Sequence, residues 1–199
     1  VLKTKKVAVT GTLSSGKSAA CQILKELGAY VVSADEIVHR LLSPKTAIGE
    51  QILRLLNPTV LTSQGEFDRK AIADLVFKDP QRLKALEAIL HPAVFKEIDD
   101  TYRRVESTMN VPLFVAEVPL LYEAEQQGAF DAVLVIRASE ELCRARFGNH
   151  PEFTSRSARQ LPSAAQSERA SYVIDNNSTL EELRSQIKQF FFQITSRPS

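Results

Sequence analysis

The sequence predicts an α/β fold built on a parallel sheet. Three observations carry that expectation. Short apolar runs of strand type recur along the chain, and segments of helical apolar spacing separate them. The first run leads directly into a loop of glycine, serine and lysine that opens a helix.

Val7-Ala8-Val9-Thr10 is the first strand, and Ala20, Ile23, Leu24 and Leu27 give the next segment a helical face that Gly28 closes. Tyr30-Val31-Val32 is the second strand. Asp35 then begins a helix with Ile37, Val38, Leu41 and Leu42 apolar. From 45 to 110 the pattern is helical without strands, which marks an inserted subdomain. One helix carries Ile48, Ile52, Leu55 and Leu56 and breaks at Asn57-Pro58. Asp68 caps a second. Asp79-Pro80 opens another and His91-Pro92 yet another, reaching about Val105. Strands resume at Leu113–Ala116 and at Ala132–Ile136, the latter a continuous apolar run suited to a strand buried on both faces. Ser139 caps a helix with Leu142 and Phe147. Residues 148–171 are polar, Tyr172-Val173-Ile174 is the fifth strand, and residues 179–194 form the closing helix.

With 199 residues the chain is of single-domain size and can bury a core without disulfides. It is 44% hydrophobic and 25% charged with a net charge of +1, so no bulk field favours nucleic acid or a membrane surface. Cys21 and Cys143 stand in no metal-ligand spacing and read as apolar fillers of a reducing compartment. His39, His91 and His150 form no zinc motif. The basic start, Val1 to Lys6, enters only a four-residue apolar run and not a signal-peptide core, and no run of 18 apolar residues exists. The expectation is a cytoplasmic protein with no protein partner evident.

Gly11-Thr12-Leu13-Ser14-Ser15-Gly16-Lys17-Ser18 matches the phosphate-binding pattern G-x-x-x-x-G-K-[ST] in full, between a strand and a helix as its mechanism requires. Backbone N–H groups of the loop, with Ala19 following it, would surround the β-phosphate of ATP at a helix N-terminus. Lys17 would bridge the β- and γ-oxygens, and Ser18 would hold Mg²⁺. A GTPase switch would need Asn-Lys-x-Asp and Asp-x-x-Gly, and neither occurs in the chain. A small-molecule kinase remains.

On the acceptor side, Asp35 follows the second strand at the sheet edge that faces the phosphate loop. A carboxylate there can take the proton of an attacking hydroxyl. The position equally suits a helix N-cap, and the two roles are compatible. Glu117, at the end of the third strand, suits either an outer ligand of Mg²⁺ or an exposed strand-end charge. Arg144, Arg146, Arg156, Arg159 and Arg169 fall in a polar stretch without strong apolar periodicity. As a set they suggest a lid, over about 139–171, that neutralises the transferring phosphoryl group.

These residues resemble the dephospho-CoA kinase family over nearly the whole chain. The matching pieces are the phosphate loop, Ser33-Ala34-Asp35, Arg69-Lys70-Ala71-Ile72, Val76-Phe77, Leu90-His91-Pro92, Pro119-Leu120-Leu121-Tyr122-Glu123 and Val173-Ile174-Asp175-Asn176-Asn177. The resemblance implies one P-loop kinase domain with strand order 2-3-1-4-5. Its core would cover about 1–44, 111–138 and 172–199, its helical CoA-binding insert about 45–110. It implies ATP-dependent phosphorylation of the ribose 3′-hydroxyl of dephospho-CoA. Asp35 would be the base, Arg146 and Arg169 phosphate-contacting arginines, and Asn176 a neighbour of the adenine. His91, with Leu120 and Glu123, would serve the acceptor. The chain departs from the family at Thr12 and Ser14, where glycines are usual, and at Ser33 and Glu117, where Asp is usual. Gln166 falls where a lysine is common, and the lid is short. The competing readings are a kinase of another small hydroxylated metabolite and a homologue that binds nucleotide but is impaired in catalysis. Retention of Lys17, Ser18 and Asp35 speaks against the latter.

Overall fold

The computed structural model describes residues 4–196, so the first three residues of the basic N-terminal stretch lie outside the described residues. The apolar runs become strands β1 (Lys5–Thr10), β2 (Tyr30–Ser33), β3 (Leu113–Glu117), β4 (Ala132–Arg137) and β5 (Tyr172–Asp175). All neighbours pair in parallel, in the order β2-β3-β1-β4-β5 that the family resemblance implies. Val9 and Ser33 both stand in register with Glu117, so β1, β2 and β3 reach the same edge together.

The helices are α1 (Lys17–Glu26), α2 (Ala34–Leu41), α3 (Ala47–Leu56), α4 (Arg69–Val76), α5 (Pro80–Thr108), α6 (Glu140–Arg146), α7 (Glu152–Ser157), α8 (Ser163–Glu168) and α9 (Leu180–Ser196). They fall into two compact units. One runs to Ser33 and resumes at Thr101; the other is Ala34–Asp100. The second unit thus starts and stops earlier in the chain than the 45–110 that the sequence marks as an insert.

In the first unit, Val7, Val9, Val115, Leu134 and Ile136 of the sheet share a core with Ala20, Ile23 and Leu24 of α1 and Leu183, Ile187 and Phe190 of α9. Each large aliphatic side chain buried there contributes about 1.5–3 kcal/mol relative to exposure. That core fixes the start of α1, and with it the loop that precedes it. Gly28, with φ +98, donates its N–H to the Lys25 carbonyl and ends α1 as expected.

In the second unit, Ile52, Leu56, Val60, Phe67, Ile72, Val76, Leu86 and Leu90 form the core. Asp68 caps α4 by accepting from the N–H groups of Lys70 and Ala71, as its sequence position predicts.

One expectation is corrected. The two helices expected on either side of His91-Pro92 are the single helix α5, with Pro92 inside it. Proline removes one N–H donor and tends to kink a helix. Buried Leu86, Leu90, Val94, Ile98, Tyr102 and Val105 continue one apolar stripe straight through, and burial of that stripe outweighs the local penalty. His91 is therefore a mid-helix residue and not a helix start.

Between β4 and β5 the chain makes α6, capped by Ser139, and then α7 and α8, which the polar sequence did not disclose. No helix among the described residues is long and apolar enough to cross a membrane.

Candidate active site

The loop Gly11–Ser18 turns tightly from β1 into α1, and its glycines are required by space as well as by dihedral angle. Gly11 has φ +146, and a Cβ there would lie 2.0 Å from the carbonyl oxygen of Ile136 in β4. Gly16 has φ +104, and its Cβ would lie 2.1 Å from the side-chain nitrogen of Asn176. Ser14, one of the two positions where the family usually has glycine, adopts φ 59. The left-handed conformation costs a non-glycine residue about 1–2 kcal/mol, so this loop stores strain that glycine would relieve.

Gly11→Ala should destabilise the fold by about 3 kcal/mol or more, because backbone opposes the new methyl group. Gly16→Ala should cost less, since an amide side chain can yield. Urea unfolding of the two variants checks the order.

Lys17 is buried at 8% exposure, and its ammonium donates to the carbonyls of Gly11 (3.1 Å) and Thr12 (2.8 Å). Its charge is thus held across the concave side of the loop. Ser15 is fully buried, and its Oγ finds no hydrogen-bond partner among the described residues. A buried ammonium on a backbone loop that opens a helix fits a phosphate group as its counter-charge. The Ser18 hydroxyl donates to Glu117 Oε1 at 2.8 Å. Two hard oxygen ligands side by side suit Mg²⁺, which takes few protein ligands and completes its shell with phosphate and water. No group of three or more His, Cys, Asp or Glu residues that could hold a metal occurs among the described residues. Burial pushes the thiol of Cys21 well above its ordinary value, Glu117 adds to this, and Lys17 opposes it. Cys21 is a neutral filler beneath the loop.

Asn176, directly after β5, is buried and donates its amide to the Ser15 carbonyl at 2.8 Å. Arg146, at the end of α6, donates to the Asn176 carbonyl at 3.0 Å and to the Ser15 carbonyl at 3.4 Å. These two residues, expected on ATP, brace the back of the phosphate loop in this structure. Arg169 is exposed at the end of α8, with its guanidinium 6.0 Å from the centre of the Tyr122 ring. Burial raises the Tyr122 phenol above its usual range, against the pull of Arg169.

Two side chains link the segment between α7 and α8 to the sheet edge. Glu123 accepts from the backbone N–H of Leu161 at 2.5 Å, and Leu120 accepts from the N–H of Ala124 within the same turn. Gln160 donates from its amide to the carbonyls of Pro119 (2.9 Å) and Gly11 (3.2 Å). Sequence reading missed Gln160 altogether. A cavity of about 490 Å³ opens beside these residues, lined among others by Thr12, Leu13, Cys143, Phe153, Gln160 and Leu161.

Asp35 and His91 belong to the second unit. Asp35 is exposed in the first turn of α2, where Ser33 rather than Asp35 precedes the helix. It is therefore not the N-capping residue. His91 is half-buried in the middle of α5.

A parallel sheet of this strand order, with a complete phosphate loop at the end of β1, defines a P-loop kinase core. The dephospho-CoA kinase family model matches residues 5–182, and the chain belongs to that family of ATP-dependent kinases. It is similar to the dephospho-CoA kinase of Chlamydia pneumoniae, 44% identical over 199 residues, and to that of Protochlamydia amoebophila, 43% identical over 200 residues. In both cases 98% of each chain is covered. Among solved structures, a protein from Thermus thermophilus superposes with a TM-score of 0.80 at 30% identity, covering 96% of this chain and 98% of that one.

Proposed function

We propose that this chain transfers the γ-phosphoryl group of ATP to the ribose 3′-hydroxyl of dephospho-CoA, giving coenzyme A and ADP. The observation that carries the reading is the phosphate cradle itself, in a chain of this family. It combines a glycine-flanked backbone loop at the start of α1, a buried Lys17 ammonium, and the Ser18–Glu117 pair.

The residues divide the work as follows. The loop N–H groups up to Ala19 bind the triphosphate, apart from that of Ser15, which stays on the Thr12 carbonyl, and Lys17 leaves the loop carbonyls to neutralise the β- and γ-oxygens. Mg²⁺, held through Ser18 and Glu117, would supply further screening of the phosphate charge. Asp35 follows Ser33, the register partner of Glu117, by two residues and accepts the proton of the 3′-hydroxyl. The hydroxyl oxygen attacks the γ-phosphorus as the bond to the β–γ bridging oxygen breaks, and ADP leaves. Arg169 neutralises the equatorial oxygens in the transition state, and Arg146 acts on the triphosphate. Asn176 flanks the adenine, and His91, Leu120 and Glu123 serve the acceptor. The setting for both substrates is the cytoplasm.

Initial rates with dephospho-CoA and with a panel of other hydroxylated metabolites test the reaction. Dephospho-CoA should have the highest kcat/KM, and a better acceptor of another class would replace this reading. The lid arginines are tested separately. Arg169→Ala should lower kcat and kcat/KM together by about a hundredfold, the usual loss for one donor to developing charge. Arg146→Ala should change both KM for ATP and kcat, because Arg146 also braces the loop.

A further inference from the structure

The lysine of the phosphate loop has two tasks that conflict. It must reach phosphate oxygens, yet its ammonium donates to the carbonyls of Gly11 and Thr12. Gly11 is buried, and a buried carbonyl that loses its last donor is costly. Each of the two carbonyls, however, holds a second donor. The Thr12 carbonyl accepts from the backbone N–H of Ser15 at 3.1 Å. The Gly11 carbonyl accepts from Gln160, 149 residues away in sequence.

The orientation of that amide is determined by its surroundings. Its nitrogen lies within reach of two carbonyl oxygens, those of Gly11 and Pro119. The reversed amide would set oxygen against both. Its own Oε1 is buried and finds no hydrogen-bond partner among the described residues, so the side chain is held through its two N–H groups. The adjoining Leu161 N–H is fastened to Glu123, which fixes the backbone that presents Gln160.

We infer that Gln160 is a positioning residue that frees Lys17 for ATP: by keeping the Gly11 carbonyl satisfied, it lets the ammonium move to the phosphates without orphaning a buried acceptor. Without it, the Gly11 carbonyl leans on Lys17 for its side-chain donor, and every ATP molecule that draws Lys17 away must overcome that added hold. The cost applies equally in the ground state and the transition state, so it appears in ATP binding and not in kcat. This inference rests on the assignment of Lys17 to the phosphates.

The experiment is a double-mutant cycle on ATP affinity, measured calorimetrically for the parent, Gln160→Leu, Lys17→Ala and the double variant, with kcat measured for the first three. Gln160→Leu should raise the Kd for ATP about tenfold in the parent, the equivalent of one ordinary hydrogen bond. In the Lys17→Ala background the same change should be less than twofold, and kcat at saturating ATP should fall no more than about threefold. An equal effect in both backgrounds, or no effect in the parent, would overturn the role given to Gln160. A role confined to lid packing would instead lower kcat and leave the two backgrounds alike. Failure of the underlying assignment looks different, because Lys17→Ala alone would then turn over ATP like the parent. If circular dichroism shows Gln160→Leu unfolded, Gln160→Ala removes the same donors without the branched bulk and is judged by the same criteria.

Discussion

Lys17→Ala will abolish phosphoryl transfer and leave the protein folded. The buried ammonium is bonded to the Gly11 and Thr12 carbonyls of the loop. Phosphoryl transfer needs positive charge at the β- and γ-oxygens, and a single group of this kind is worth about three orders of magnitude or more. The fold survives because both carbonyls keep a donor, Ser15 N–H on one and Gln160 on the other. What is lost is packing of the buried stem, about 1–2 kcal/mol. Turnover in a coupled assay, together with the melting temperature, checks both halves. Near-normal turnover by a folded variant would remove the phosphate loop from the mechanism.

Asp35→Asn will lower kcat by roughly two to four orders of magnitude, the span expected when a positioned base is replaced by its amide. ATP affinity should hold, since the substitution touches no residue of the loop. Stability should change by at most about 1 kcal/mol. Asp35 is exposed in the first turn of α2, where a carboxylate complements the helix dipole, and it does not cap the helix. Steady-state kinetics and thermal unfolding separate the two roles. Unchanged kcat with a lowered melting temperature would leave Asp35 a helix-dipole residue only.

The parts of the site that were legible in the sequence are those made by neighbours in the chain. The phosphate loop is one continuous motif, and its position between an apolar run and a helical face could be read directly. The caps at Ser139 and Asp68 were likewise local. Strand order was not written in periodicity, since an apolar run such as Ala132–Ile136 says that a strand is buried but not beside which others. It came from the family resemblance.

The division of α5 at His91-Pro92 followed a local rule that a longer apolar stripe overrode. α7 and α8 have six residues each, too few for a helical period to stand out in a polar segment. The bracing of the loop was hidden for a different reason. Asn176 and Ser15 are 161 residues apart, Arg146 and Ser15 131, and Gln160 and Gly11 149. No spacing rule links such positions. The one available signal was compositional: polar side chains beside Leu161-Pro162 and just after the fifth strand, where helix faces and strand alternation do not account for them.

ATP is consumed because a hydroxyl of dephospho-CoA accepts its γ-phosphoryl group. ADP release measured with and without dephospho-CoA tests it most directly, with ³¹P NMR of the product. ATP alone should be hydrolysed slowly, and dephospho-CoA should stimulate ADP release strongly. One new phosphomonoester should form on the ribose 3′-oxygen per ADP released. ADP release indifferent to dephospho-CoA, or a product without that phosphomonoester, would contradict it.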